Sequence, residues 1–374
     1  MEQPSILFIL VAFIVVLGPL VFFHELGHYG MARVFGVKCE VFSIGFGREI
    51  LGWTDRRGMR WKVGWLPMGG YVRFAGDADA ASRPDPAAVN AADPALFANK
   101  PVWQRFLVVL AGPMANFVLA IAIFTAFFAS VGMLQPPENV VGSVQQESGA
   151  AAAGLEEGDR IVSVAGKTTD DFDAIMRTVI LRPGETVPVV YERGSSRRTV
   201  AVTIGEVQQE DVYGETHRIG RLGIGQTLGE RRTLGPIEAI GEGVTRTIAM
   251  LDWIIDGLGR ILFGNLSVKE IGGLIKMAQV TGQQAQLGWE AAVGFAALLS
   301  INLGFINLLP VPMLDGGHLL FYAIEAIRRK PVSDRAQEWA FRGGMALIAM
   351  LVLFTTLNDL SSIGVGERIG RLMG

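Results

Sequence analysis

The stretch His24-Glu25-Leu26-Gly27-His28 brings two imidazoles and a carboxylate together within five residues. On a helix, residues four apart lie one above the other, so His24 and His28 can grip one metal ion from the same side. Glu25, about a quarter turn away, can reach a water beside that ion without being a ligand itself. Zinc held in this way lowers the pKa of its water to about 7, and the carboxylate can take the proton released. An isolated HExxH arises easily by chance, but its context here is unusual. No charged residue occurs from Ile6 to Phe23, a run long enough, with the turn that follows, for a hydrocarbon core that needs about 20 residues. Ionisable groups inside such a segment cost at least about 2.5 kcal/mol each, so three of them together point to function.

A catalytic zinc site needs three protein ligands and one open position. The single cysteine, Cys39, excludes an internal disulfide and a cysteine-rich site, and the only histidines are His24, His28, His217 and His318. Near the other end of the chain, after Asn302, comes Asn307-Leu308-Leu309-Pro310-Val311-Pro312-Met313-Leu314-Asp315-Gly316-Gly317-His318. Two prolines two apart cannot continue a helix, so the backbone must open there, at membrane depth and next to an acid. By spacing alone, Asp315 and His318 are equal candidates for the third ligand.

The elements that must position these groups are mostly membrane helices. Half of the 374 residues are hydrophobic and only 18% are charged, against about 25% in soluble domains, and the mean hydropathy is +0.37. The net charge of -3 is small and spread out, which gives no sign of a nucleic-acid partner. Four stretches are apolar enough to span a bilayer: 6–34, 102–133, 291–309 and 345–357. Trp103, Trp289 and Trp339 stand just before the last three, as interface anchors would. The N-terminus lacks the cationic start and the cleavage site of an ordinary signal peptide. Cations cluster between spans one and two and again at Arg328, Arg329, Lys330 and Arg335. The positive-inside rule therefore puts both loops in the cytoplasm, and the termini and the long 134–290 region outside.

Between spans one and two, Val41–Gly47 and Met59–Trp65 read as strands broken by glycine, followed by a close turn at Met68-Gly69-Gly70-Tyr71. Such backbone is allowed within a membrane only where protein buries it or a wet cavity adjoins it. Ala75–Lys100 reads as a surface connection. In span two, Gly112-Pro113-Met114-Ala115-Asn116 predicts a kink and a polar group facing the bundle. Outside the membrane, Ala153–Gly166 follows the A-G-L-x-x-G-D-x-I-x-x-V-x-G signature of bacterial PDZ domains, which take an extended peptide or its C-terminal carboxylate as an added strand. Leu222–Gly225 is either its last strand or a carboxylate loop. Val244, Ile248, Leu251, Ile255, Leu258 and Leu262 then recur at helical steps as an amphipathic helix, on the membrane surface or under the PDZ domain.

The combined motifs resemble the site-2 protease family of intramembrane zinc metalloproteases, and within it the bacterial branch that regulates sigma-E. HExxH matches His24–His28, N-x-x-P-x-P-x-L-D-G-G matches Asn307–Gly317, M-G-G-Y matches Met68–Tyr71 and G-P-x-x-N matches Gly112–Asn116. The resemblance implies that Asp315 is the third zinc ligand and His318 a bystander. It also implies that Glu25 is the catalytic base and that Asn307, Asn302, Pro310, Pro312 and the Met68, Gly69, Gly70, Tyr71 loop hold substrate. This chain has one PDZ domain where well-known members carry two, and Ile271-Gly272-Gly273 where they carry S-G-P.

The expected fold class is therefore an α-helical polytopic membrane protein of about four transmembrane helices, with a membrane-associated β-loop and an inserted extracytoplasmic PDZ domain. The expected division is 1–133 as a first membrane half, 134–228 as the PDZ domain, 229–290 as an amphipathic linker and 291–374 as a second membrane half. The expected function is zinc-dependent cleavage of transmembrane segments of single-pass proteins, either anti-sigma factors or remnant signal peptides. The expected location is the bacterial inner membrane, with the active site toward the cytoplasmic side. The competing expectation is a membrane zinc transporter or metal sensor carrying a PDZ module, since intramembrane His and Asp also line ion pathways.

Overall fold

The computed structural model describes residues 4–76, 93–134, 139–210, 216–226, 231–262 and 272–362. Most of the connection expected over Ala75–Lys100, and Ile271, lie outside them. The chain forms two compact units, one of Met1–Phe127 with Gly235–Gly374 and one of Phe128–Leu234.

In the first unit, helix α1 spans Ile6–Val34 and opens on Ser5, whose side chain accepts a hydrogen bond from the Phe8 amide. Its buried residues include Leu20, Val21, His24, Glu25, His28 and Ala32, one face at helical spacing. Gly36 at φ +66° ends it, and the Lys100 ammonium donates to the Phe35 carbonyl over 2.6 Å. Strands β1 (Cys39–Thr54) and β2 (Arg60–Phe74) follow. Each is long enough to pair twice: Cys39–Ile44 lies between Gly70–Phe74 and Arg60–Val63, and Arg60–Gly64 pairs on its far side with Glu49–Thr54. Two strands thus make a sheet of four segments, the outer pairings running in opposite directions and the central one, Val41–Ile44 with Arg60–Val63, in the same direction, and β1 doubles back where Gly45 and Gly47 both take φ +84°. The turn between them is held by the Asp55 carboxylate, which accepts from the amides of Arg57 and Met59.

Helix α2 spans Val102–Ser130 with Pro113 inside it. It crosses α1 closely: a Cβ on Gly27 would sit 2.2 Å from the Ala111 carbonyl oxygen, so only glycine lets the two backbones meet.

The second unit carries β3 (Met133–Leu134), β4 (Val141–Val144), α3 (Gly149–Ala152), β5 (Arg160–Val164), β6 (Lys167–Thr168) and α4 (Phe172–Ile180), then β7 (Thr186–Arg193), β8 (Ser196–Thr203), β9 (Gly205–Glu210), β10 (Thr216–Arg221), β11 (Ile224–Gln226) and β12 (Arg231–Arg232). Its sheet runs β6-β5-β7-β8, with β4–β11 and β9–β10 as further pairs. Ile161, Val164, Ile175, Val179, Val189, Val202 and Ile204 are fully buried in its core. This is the PDZ domain, and its signature Asp159 is a structural hub. The carboxylate accepts from Arg193 Nε at 2.7 Å, Arg193 Nη2 at 2.8 Å and the Glu156 amide at 2.8 Å. The residues read as either strand or carboxylate loop contain β11, paired to β4. The chain enters through β3 and leaves through β12, which pair with each other.

Back in the first unit, α5 (Pro236–Leu262) is amphipathic and starts earlier than the apolar periodicity indicates. Its Gly243 packs on Ile121 and Thr125 of α2. Helix α6 (Leu274–Gln286) has no side-chain cap of its own. The cap comes from α9 (Asp334–Ser362), whose buried Asp359 accepts from the amides of Gly273 and Lys276 at 2.9 and 3.0 Å. Between them run α7 (Trp289–Leu308) and α8 (Asp315–Arg328). Ile6–Val34, Val102–Ser130, Trp289–Leu308 and Arg335–Leu360 are long and apolar enough to cross a membrane. The fourth outruns the expected 345–357 because its first turns carry charge, with Arg342 bonded to Glu338 at 2.6 Å.

Candidate metal centre

The proline-rich break ends α7 at Leu308 and turns the chain into α8, whose first residue is Asp315. The reversal is tight. A Cβ on Gly316 would sit 2.2 Å from the Leu309 carbonyl oxygen and one on Gly317 2.5 Å from that of Val311, which explains the two glycines after the aspartate. Met313 takes φ +88°, a strained value for a side chain of its size, beside the acid it helps to aim. Lower on α8, Glu325 bonds Arg105 of α2 at 2.7 Å with both side chains largely buried, pinning the helix in place.

This brings Asp315 to the HExxH face of α1. Asp315 Oδ2 lies 3.1 Å from His24 Nε2 and 3.4 Å from His28 Nε2, and the two ring nitrogens are 3.3 Å apart. Donors 2.0–2.1 Å from a tetrahedral zinc are separated by about 3.4 Å, so the triangle has the size such an ion requires. Asp315 Oδ2 is buried against those two ring nitrogens, a set of three converging donors that a cation would satisfy. Among the described residues this is the group of three acids or histidines able to hold a metal. His28 is backed from behind by the Val108 carbonyl, 3.0 Å from Nδ1. Its ring lies against α2 where a Cβ on Gly112 would come within 2.2 Å of Nε2.

The three donors face a cavity of about 420 Å³. Glu25, Gly69, Gly70, Tyr71 and Asn307 also line it, whereas Asn302, Pro310 and Pro312 do not. The side chain of Met68 lies outside the described residues. His318 lines the cavity too, but its ring packs against Phe341 and Tyr322 and stands outside the donor triangle. Gly70 passes directly over Glu25: a Cβ there would lie 2.9 Å from Glu25 Cγ. The Gly70–Phe74 stretch pairs with β1 on one side, and among the described residues no strand pairs with its other edge. Phe46, Leu303 and Met313 complete the walls. No sequence signal marks them, because their place follows from how the sheet and the break fold.

Comparison with known proteins bears on the same centre. The profile described as "Peptidase family M50" matches residues 12–351. The chain belongs to peptidase family M50. That is the site-2 protease family, and with four apolar helices among its described residues this M50 metalloprotease is a multi-pass membrane protein. A protein of Agrobacterium fabrum named "putative zinc metalloprotease" is 42% identical over 95% of this chain and 96% of its own length. One of Rhizobium meliloti with the same kind of name is 42% identical over 93% and 95%. The metalloprotease MmpA of Caulobacter vibrioides is 38% identical over 98% of each chain. Among solved structures, the PDZ domain of an SdrC-like protein from Listeria monocytogenes is 20% identical over 25% of this chain and 92% of its own, with a TM-score of 0.19.

Proposed function

We propose that this M50 peptidase is an intramembrane zinc endopeptidase that cleaves transmembrane segments of single-pass proteins. The observation that carries the reading is the triangle of His24, His28 and Asp315, three donors from two distant parts of the chain, buried beside a carboxylate and a cavity. In this reading those three residues hold zinc, which when bound acidifies water and polarises the scissile carbonyl. Glu25 accepts a proton from the attacking water as its oxygen bonds to the carbonyl carbon. It returns that proton to the amine nitrogen as the C–N bond breaks.

A peptide bond in a substrate helix is shielded and already hydrogen-bonded, so the substrate must unwind first. The open edge of the Gly70–Phe74 strand, lying over Glu25, offers replacement backbone bonds at the place where the helix opens. Asn307 supplies a further amide to that segment, and Met68–Tyr71 forms the start of the same strand. The PDZ domain receives an extended peptide or a C-terminal carboxylate. We place the chain in the bacterial inner membrane, its termini and PDZ domain outside and the metal centre toward the cytoplasm, as the cation distribution requires. Candidate substrates are anti-sigma factors and remnant signal peptides. The division into 1–133, 134–228, 229–290 and 291–374 is proposed as the functional one.

The test is to incubate the purified protein in detergent with a single-pass transmembrane peptide, with and without a zinc chelator. Cleavage that the chelator stops and added zinc restores is the expected result; no cleavage in detergent, with zinc uptake by vesicles carrying the purified protein, would favour a transporter instead.

A further inference from the structure

We propose that Asn116 is a positioning residue of the metal centre, setting the orientation of His24 and the nitrogen that carries its proton, as the Val108 carbonyl does for His28. The inference rests on the metal reading above. Asn116 is fully buried on α2, and its Nδ2 lies 3.2 Å from His24 Nδ1. The His28 partner, Val108, is on the same helix, at 3.0 Å. One helix thus backs both rings on the side away from Asp315.

The two backings differ chemically. A carbonyl only accepts, so His28 keeps its proton on Nδ1 and presents a bare Nε2. An amide has one accepting and one donating end. As placed, its nitrogen faces His24, which suits a ring whose Nε2–H points at Asp315 Oδ2 3.1 Å away, and Asn116 Oδ1 is buried with no hydrogen-bond partner. When Nε2 gives its lone pair to a cation, the ring proton must sit on Nδ1. A half turn of the amide then brings the orphaned Oδ1 round to accept it. Asparagine can therefore serve His24 with or without a ligand on Nε2. The link from Asn116 to α7 is separate, because Ser300 Oγ donates to its backbone carbonyl at 2.8 Å. That bond survives any change of side chain.

The test compares zinc affinity, and the visible spectrum after cobalt substitution, in purified wild type, Asn116→Asp, Asn116→Ala, Asn116→Leu and His24→Ala. Asp keeps the acceptor and is expected to hold zinc within about threefold of wild type, with the cobalt bands unchanged. Ala and Leu lack it and are expected to bind about 10- to 100-fold more weakly, with altered bands. If Leu is too bulky to fold, Ala carries the comparison. The proposal is overturned if Ala binds as wild type does, if Asp loses as much as Ala, or if Leu, which fills the space without an acceptor, binds as wild type does, since space-filling would then be the role. His24→Ala separates the two readings. If it binds zinc as tightly as wild type, the metal centre itself is wrong; if it loses zinc while Asn116→Ala does not, only the role of Asn116 falls.

Discussion

Glu25 shares a face of α1 with both histidines but is no member of the donor triangle, so metal binding and proton transfer separate by mutation. Glu25→Gln is expected to retain zinc at the wild-type ratio while cleavage of a transmembrane peptide falls by about 10²- to 10⁴-fold, the usual contribution of a general base. Asp315→Ala is expected to lose both. Equal zinc in the two purified variants, measured by atomic absorption, would remove Asp315 from the site. Gly112 gives a steric prediction. Its missing side chain leaves room for the His28 ring, so Gly112→Ala should push the imidazole off the triangle and lower zinc affinity by about 10-fold or more; titration against a competing chelator measures this.

Elements carry a different kind of consequence. In the PDZ domain, burial pushes the Asp159 carboxyl up, but the Arg193 guanidinium and the Glu156 amide outweigh it and hold the group below the ordinary carboxylate range. A depressed folded-state value contributes stability that is present above the unfolded pKa of about 4 and is lost as pH falls through the folded value. Asp159→Asn should therefore cost the domain about 1–3 kcal/mol at neutral pH, since Arg193 is partly exposed and loses less than a fully buried partner would. The variant should also lack the acid-dependent loss below pH 4. Hydrogen exchange at the Ile161 and Tyr191 amides, on paired strands, reads both effects.

At the scale of the molecule, the candidate metal centre lies wholly within the unit formed by the two ends of the chain, and the PDZ domain is inserted between them in sequence. Entry and exit are adjacent: β3 pairs with β12, and the Leu234 amide donates to the Phe128 carbonyl over 3.1 Å. Replacing the segment between Ser130 and Gly235 by a short Gly/Ser linker should therefore leave zinc affinity within about threefold of wild type. A loss beyond 10-fold in a competition titration would show that the membrane unit depends on the insert.

Side-chain identity and spacing were enough for the HExxH helix, the acid beyond the prolines and the apolar spans, because each depends on local chemistry: helical periodicity, proline's missing N–H, the cost of a charge in lipid. The PDZ signature was legible for the same reason, its Gly158-Asp159 turn being built from neighbours in sequence. The choice between Asp315 and His318 was not legible from spacing, since it turns on how the Pro310–Leu314 break aims two residues one helical turn apart. Nor could the sequence rank Asn307 over Asn302, which differ only in the side of α7 that meets the cavity. The doubled pairing of β1, the cap that Asp359 lends to α6 and the Val108 carbonyl behind His28 were hidden for a common reason. They are made by backbone groups, which every residue carries alike, or by partners far apart in the chain, and only packing in three dimensions selects among them.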